Sequence, residues 1–459
     1  MTVKSALKKK ILKLHPALII LISFVSAIVL GALLLMLPAA TKNGSISWID
    51  ALFTASSAVC VTGLTVVDTG SFYTRFGQSV ILVLIQIGGL GVMTITVFLF
   101  RWLGRSVSIK QRMAMQDIFA HTPRHDIFDL VKSVVILTFT AEIIGAVVLT
   151  LFWHNEYPLL EASYMGVFHA VSAFCNAGFA LFPDSLVHYS DQMMLAGPIC
   201  ILIIIGGIGF PVLFDIQSWI KSSNKQRRLS VQTKTVLWTS IILILGGAAI
   251  IGFLEYPTHP EPRSVSHMVY TAVFQSVTCR TAGFNTIDIA SLHEATLAAM
   301  IFLMFFGASP GSCGGGVKTT TLALLAAFAY SRIKRRRRVN LFKKSIPTET
   351  LHRSISLTLL STGIIFVVIF LLLVGDVATG RDVAGHHGAF LAYVFETVSA
   401  FATVGLSMGV TPELSNWSKL WLILTMLVGR VGVLTFAYII TGSGVEKGKE
   451  HAEENMMIG

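Results

Sequence analysis

Runs of about 20 apolar residues, long enough to cross a bilayer, occur near residues 17–37, 79–100, 130–152, 193–214, 235–254, 295–331, 354–375 and 417–441. They predict eight transmembrane helices. Pro16 and Pro38 bracket the first, as expected for a helix start and stop. The sixth run is too long for one helix and is interrupted by residues 308–316, where Gly314, Gly315 and Gly316 follow one another. Three successive glycines are costly in a helix, so the span is expected to break there. Between the two members of each pair of spans lies a shorter, semi-apolar piece: Trp48 to Gly63, Met165 to Gly178, Tyr270 to Gly283 and Tyr393 to Gly405. Pieces this short read as re-entrant segments. Irregular backbone at membrane depth persists only when buried in protein or lining a water-filled cavity.

The predicted fold is therefore an all-α integral membrane protein of four tandem helix–re-entrant loop–helix repeats in pseudo-four-fold arrangement. The repeats cover residues 1–112, 113–228, 229–340 (with the broken second helix) and 341–445, followed by an acidic tail, 446–459. Aligned on their first aromatic residue, Phe53, Phe168 and Phe395, three of the dips carry Ser-Ala four and five positions on: Ser57-Ala58, Ser172-Ala173 and Ser399-Ala400. Each reaches a glycine ten positions on, whereas the dip from Phe274 reaches Gly283 one residue sooner. A large apolar residue follows every glycine: Leu64, Phe179, Phe284 and Leu406.

Composition supports the membrane reading: of 459 residues, 54% are hydrophobic and only 13% charged, against roughly 25% charged in soluble domains. The net charge of +11 does not point to nucleic acid, because the lysines and arginines cluster in alternate turns. They occupy the N-terminus (Lys8, Lys9, Lys10 and Lys13), the 101–112 turn, the 221–234 turn and the 332–344 turn, which includes Arg335 to Arg338. The other loops carry Asp68, Glu156, Glu161, Asp184, Glu255, Glu261, Asp288, Asp376 and Asp382. By the positive-inside rule both termini are cytoplasmic in a multi-pass cell-membrane protein. The first apolar run is expected to be a retained span, not a cleaved signal. Five cysteines, an odd number lying in or beside apolar runs, imply no disulfide framework.

A small cation crossing a bilayer must exchange its hydration shell for other oxygens, and rings of backbone carbonyls serve this purpose. Glycine permits the unusual backbone that such a ring needs. A short helix aimed C-terminus first at the pore adds partial negative charge. Four such units in one chain can form a ring without four subunits.

The segments Val61-Thr62-Gly63-Leu64, Asn176-Ala177-Gly178-Phe179, Arg280-Thr281-Ala282-Gly283-Phe284 and Thr403-Val404-Gly405-Leu406 resemble the selectivity filters of the Trk/Ktr/HKT superfamily of potassium transporters. The chain starts directly with the first repeat, which makes it more similar to the Ktr-type membrane subunit. The resemblance implies potassium uptake, with four filter glycines going with potassium preference and a first-filter serine with sodium permeation. It also implies an intramembrane gating loop, here Ala308, Ser309, Pro310, Gly311, Gly314, Gly315 and Gly316, with Lys318 just beyond. Arg430, in the last span, matches the family's arginine below the filter and reads as a barrier or latch against that loop. A homodimer and a cytoplasmic Rossmann-type (RCK-type) regulatory ring are implied as well. No nucleotide motif or cofactor is expected in this chain, so ATP, ADP or NAD would be bound by that partner.

A charge at mid-span costs about 2.5–3.5 kcal/mol even on lenient scales, so the alternative for Arg430 is a buried ion pair with Glu142 or another acid. Arg280 inside a filter would repel cations unless turned away, and Glu396 and Asp50 are candidate partners behind the filter, which makes Arg280 and Glu396 filter supports. Lys318 is expected to snorkel. Cys60, Cys175 and Cys279, just before filter glycines, are expected to line the pore and react with silver or thiol reagents; convergence on a metal is the alternative. Gly311 to Lys318 resembles a phosphate-binding loop, but Val317 intrudes and no strand precedes it. Ser309 as a hydrolase nucleophile lacks a base, since His386 and His387 fall in an outside loop. The chain is thus read as a transporter, not an enzyme. Sodium-coupled secondary transport is the main rival, an intramembrane hydrolase or a structural scaffold the remote ones.

Overall fold

The computed structural model describes residues 16–91, 127–222, 228–256, 264–379 and 389–441. The N-terminal lysines, the 101–112 turn, His386, His387 and the 446–459 tail lie outside them. Four times, the chain runs from a long helix through a short one into a further helix, which is interrupted in the second, third and fourth units. The first unit has α1 (Pro16–Leu35), α2 (Trp48–Cys60) and α3 (Arg75–Leu90). The second has α4 (Ile127–Trp153), α5 (Leu159–Phe174), α6 (Met193–Ile208) and α7 (Phe210–Ile220). The third has α8 (Val231–Glu255), α9 (Val265–Thr278), α10 (Glu294–Phe305) and α11 (Thr319–Ile333). A small hairpin, β1 (Asn340–Leu341) with β2 (Lys344–Ser345), leads to α12 (Thr348–Thr379), α13 (Ala389–Ala402), α14 (Asn416–Val431) and α15 (Val433–Thr441).

Short polar side chains start several of these helices. Ser47, Thr74, Ser230 and Ser415 each accept a hydrogen bond from a backbone N–H in the first turn of α2, α3, α8 and α14, replacing partners those N–H groups lack. Among the described residues, α1, α4, α8 and α12 are long and apolar enough to cross a bilayer alone, and the bent pair α6–α7 makes a fifth candidate. The chain is a multi-pass membrane protein, with leucine, isoleucine and phenylalanine side chains exposed along its long helices.

Several boundaries depart from the sequence pattern. The short helices α5, α9 and α13 start upstream of Met165, Tyr270 and Tyr393, because the preceding residues continue the helix back to Pro158, Ser264 and Ala389. The 193–214 run is not one helix: it bends by 95° between α6 and α7. Gly209 sits there at φ 98°, with Pro211 at the start of the next helix, a stop-and-restart combination. The 417–441 run is likewise interrupted, at Gly432 (φ 96°), and α3 ends at Gly91 (φ 78°).

The aromatic residues that open the four dips, Phe53, Phe168, Phe274 and Phe395, are all fully buried. The C-terminal parts of the short helices are therefore packed in the core, while their first residues, such as Leu160 and Val265, are exposed.

Candidate ion pathway

Each short helix ends in the same way. Two positions before the glycine, Val61, Asn176, Thr281 and Thr403 adopt left-handed backbone, with φ of 57°, 59°, 72° and 52°, a conformation uncommon for side chains other than glycine. The glycines follow at φ 98° (Gly63), 69° (Gly178), 82° (Gly283) and 94° (Gly405). In three units paired backbone bonds close the helix end: Thr62, Ala177 and Val404 donate to the carbonyls of Ser57, Ser172 and Ser399, a Schellman closure. In the third unit Ala282 donates to Thr278, so the shorter segment keeps the same tie with one residue fewer.

The hydroxyl at that position holds the chain beyond. Ser57 and Ser399 accept from the N–H of Gly63 and Gly405, each at 3.0 Å. Ser172 and Thr278 donate instead to the carbonyls of Phe179 (2.7 Å) and Phe284 (2.6 Å).

The four segments meet. A β-carbon on Gly63 would lie 2.5 Å from the Ala177 carbonyl oxygen, and one on Gly178 would lie 2.9 Å from that of Ala282. One on Gly283 would strike the Val404 oxygen, and one on Gly405 would strike the Thr62 oxygen and come within 2.8 Å of the Gly63 Cα. Each glycine thus abuts the carbonyl that precedes the next unit's glycine, and the fourth returns to the first. Thr62, Ala177, Ala282 and Val404 are fully buried, yet none of their carbonyls accepts a hydrogen bond among the described residues. Buried backbone carbonyls are rarely left unpaired, and four on one ring are suited to a cation.

Residues 306–318, between α10 and α11, cross directly beneath. A β-carbon on Gly314 would collide with the Thr281 side chain, and one on Gly315 would lie 2.6 Å from the Thr403 hydroxyl. The Gly315 N–H donates to that hydroxyl (2.7 Å). The loop is tied on every side: Phe210 N–H to the Gly311 carbonyl (3.0 Å), Cys313 N–H to Gly206 (3.3 Å) and Gly316 N–H to Gly429 (3.3 Å). Ala308, Ser309 and Cys313 are buried, and Gly209 abuts the Pro310 carbonyl.

Arg430 donates to the Cys313 carbonyl on this loop and to the Gly88 carbonyl on α3. It therefore joins the loop to the first unit, and its partners are carbonyls, not Glu142, which is bonded to the Cys175 thiol. Lys318 does not snorkel: its amine donates to the Gly314 (2.8 Å) and Gly315 (3.1 Å) carbonyls. That geometry uses the ammonium to brace the glycine run and leaves it unavailable to a phosphate.

Arg280 is turned away from the ring, as expected, but its partners are not carboxylates. It donates to the Ser240 hydroxyl (2.8 Å) and the Gly307 carbonyl (3.3 Å). Glu396 is committed elsewhere, accepting from Ser407, Thr411 (2.8 Å) and the Met408 N–H (3.2 Å) just past Gly405. Asp50 pairs instead with Lys419 (2.8 Å). The sequence supplied the right charged residues with the wrong pairings, because neutral hydroxyls and carbonyls lay closer.

Cys60, Cys175 and Cys279 are fully buried. The Cys175 sulfur points at Gly89 and Glu142, between helices and away from an open lumen, which corrects its expected pore exposure. Among the described residues no three His, Cys, Asp or Glu side chains converge as a metal site. Ser309 is buried with its hydroxyl accepting from Thr319 (3.2 Å).

Sequence reasoning missed a second set of glycines. Gly88, Gly206 and Gly429 place their Cα against the carbonyls of Val59, Phe174 and Phe401 at the ends of the short helices, and Gly307 packs on Arg280 in the third unit. The signal was present in the recurrent Gly88-Gly89, Gly206-Gly207, Gly307-Ala308 and Gly429-Arg430 pairs, which align Arg430 with Gly89, Gly207 and Ala308.

Together, the fold and this site define a helical membrane protein of the cation-transport class. The chain belongs to the TrkH family, described as cation transport protein, which matches residues 8–443. The Ktr system potassium uptake protein B of Bacillus subtilis (strain 168) is 38% identical over 439 residues, covering 94% of this chain and 95% of that protein. The potassium/sodium uptake protein NtpJ of Enterococcus hirae is 34% identical over 459 residues, covering 99% of each. The crystal structure of the potassium transporter TrkH from Vibrio parahaemolyticus shares the fold, with a TM-score of 0.71 at 19% identity over 92% of this chain and 84% of that one.

Proposed function

We propose that the chain takes up potassium through the ring formed by the four filter segments. The observation that carries this is the cyclic contact of Gly63, Gly178, Gly283 and Gly405 with the neighbouring unpaired carbonyls of Ala177, Ala282, Val404 and Thr62. In passage, those oxygens replace water around the ion, with the C-terminal ends of α2, α5, α9 and α13 adding partial negative charge. The arrangement has four units around one axis, eight membrane spans and both termini cytoplasmic.

Residues 306–318 act as the gate. Their hydrogen bonds to the second and fourth units, with Arg430 bridging to the first, support a closed position beneath the ring. A homodimer and a nucleotide-binding cytoplasmic regulatory ring complete the system; relatives that carry a Ktr system name support this assignment. A sodium-coupled mode is the second reading, favoured by the relative named a potassium/sodium uptake protein.

Growth of a potassium-uptake-deficient cell at low potassium tests the proposal. Wild type should restore growth, whereas Gly405→Ser, expressed at the same level, should not. Rescue that requires sodium in fixed stoichiometry would select the second reading, and absence of rescue by wild type with its regulatory partner present would reject both.

A further inference from the structure

Away from the ion pathway, a groove of about 830 Å³ opens on the outer surface of the second unit between α4, α6 and α7. Gly145 and Leu202 line it, and the Leu202 side chain fills the place a β-carbon on Gly145 would take, at 2.6 Å. Its walls are mainly apolar, with Ile136, Ile144 and Ile201 more than half exposed. From Lys132 to Val148, both of which line it, α4 rises about 24 Å. That is most of a hydrocarbon core about 30 Å thick.

Charge is confined to one end. Lys132 in the first turns of α4 and Lys221 just past α7 both line the groove, accompanied by Ser133 and Gln217. Ser133 and Gln217 also line the small adjoining cavity under α7, so the start of α4 and the end of α7 lie side by side. Neither lysine is paired with a carboxylate among the described residues. The bend at Gly209 turns α7 across the direction of α6, which sets Lys221 at the mouth and not along the wall.

We propose that this groove binds one anionic phospholipid, with its phosphate between Lys132 and Lys221 and an acyl chain along Ile136, Ile144 and Ile201. Charge complementarity selects this occupant. An apolar helix from another protein would match the walls but leave two ammonium groups without counter-charge at the membrane boundary. A neutral lipid would gain the walls alone. Lysines next to a membrane surface contribute about 1 kcal/mol each toward anionic lipid. Assignment to the cytoplasmic leaflet rests on the topology proposed above; the pairing of lysine with phosphate does not.

The site bears on transport through α7. The same helix that ends at Lys221 begins at Phe210, whose N–H holds the Gly311 carbonyl of the loop beneath the ring. A lipid bracing one end of α7 thereby stiffens the support of that loop at the other.

Native mass spectrometry of the full-length protein, titrated in detergent with phosphatidylglycerol or phosphatidylcholine, tests the site without relying on transport. Wild type should retain one phosphatidylglycerol in preference to phosphatidylcholine. The Lys132→Gln/Lys221→Gln variant should bind it about 25-fold more weakly, roughly five-fold per lysine, and Lys132→Arg/Lys221→Arg should restore it. Ile201→Trp, which fills the groove without touching a lysine, should also displace the lipid. Equal retention of the two lipids, or undiminished phosphatidylglycerol binding in the double Gln variant, would overturn the proposal. So would efficient cross-linking of Ile144→Cys between copies in native membranes, which would give the groove to a second protein chain.

Discussion

Gly429 and Gly363 both sit within helices, in α14 and α12, but a β-carbon would meet very different surroundings. At Gly429 it would overlap the Phe401 carbonyl, whereas at Gly363 nothing lies within 4 Å. Gly429→Ala should therefore push α14 from α13 and destabilise the protein by about 1–3 kcal/mol. Gly363→Ala should be neutral or stabilise by about 0.5–1 kcal/mol, since alanine is the better helix former. Thermal unfolding of the two variants in the same detergent separates them, and equal shifts would refute the close helix contact. Arg280 makes the corresponding point for a charge. Arg280→Gln leaves Ser240 and Gly307 incompletely bonded, so a loss of about 1–3 kcal/mol is expected, seen in the same melts. At this scale the sequence revealed the recurring glycines and the Ser-Ala pairs before three of them because they recur in register, but not that the serine hydroxyls would hold the chain beyond. It did not reveal that Arg280 would bond a hydroxyl from α8, since nothing in local spacing relates Ser240 to Arg280.

The loop between α10 and α11 was legible as a break, because Gly314, Gly315 and Gly316 cannot continue a helix cheaply. Its neighbours were less so. The runs through Gly209 and Gly432 keep their apolar character on both sides, so hydropathy alone reads straight through both bends. Only the glycine, with Pro211 after it in one case, marks the stop. The loop's hold is specific enough to predict. Arg430 bridges Cys313 on the loop to Gly88 on α3, and a charged hydrogen bond is worth about 1.5–3 kcal/mol. Arg430→Ala should raise the passive flux of rubidium into proteoliposomes at least about ten-fold, a factor that costs about 1.4 kcal/mol. Unchanged or lower flux with intact folding would remove Arg430 from the closed state. Thiol reagents provide a contrasting test of the same region: with Cys60, Cys175 and Cys279 fully buried, modification should be slow compared with the partly exposed Cys200, as mass spectrometry of the labelled peptides would report.

Across the whole molecule, sequence repetition foretold helix, short segment and helix in each unit, with a break only in the third, but not how the last unit meets the first. Closure is visible at two levels. Gly405 meets Thr62 in the ring, and nearer the surface Lys419 of α14 pairs with Asp50 of α2 at 2.8 Å, with the lysine side chain only 9% exposed. Such a contact, between residues 369 positions apart, has no local signature in a single sequence. A double-mutant cycle of Asp50→Asn and Lys419→Met should give a coupling of about 0.5–3 kcal/mol, and additive effects would place the pair outside the closure. The ring itself is tested most directly by the ratio of rubidium to sodium uptake in proteoliposomes, comparing wild type with Gly63→Ser at equal protein. Wild type should show a strong preference for rubidium, and that preference should collapse toward equal uptake in the variant, whose added side chain would crowd the Ala177 carbonyl. An unchanged ratio in a folded Gly63→Ser protein would mean that the cation does not pass these four oxygens.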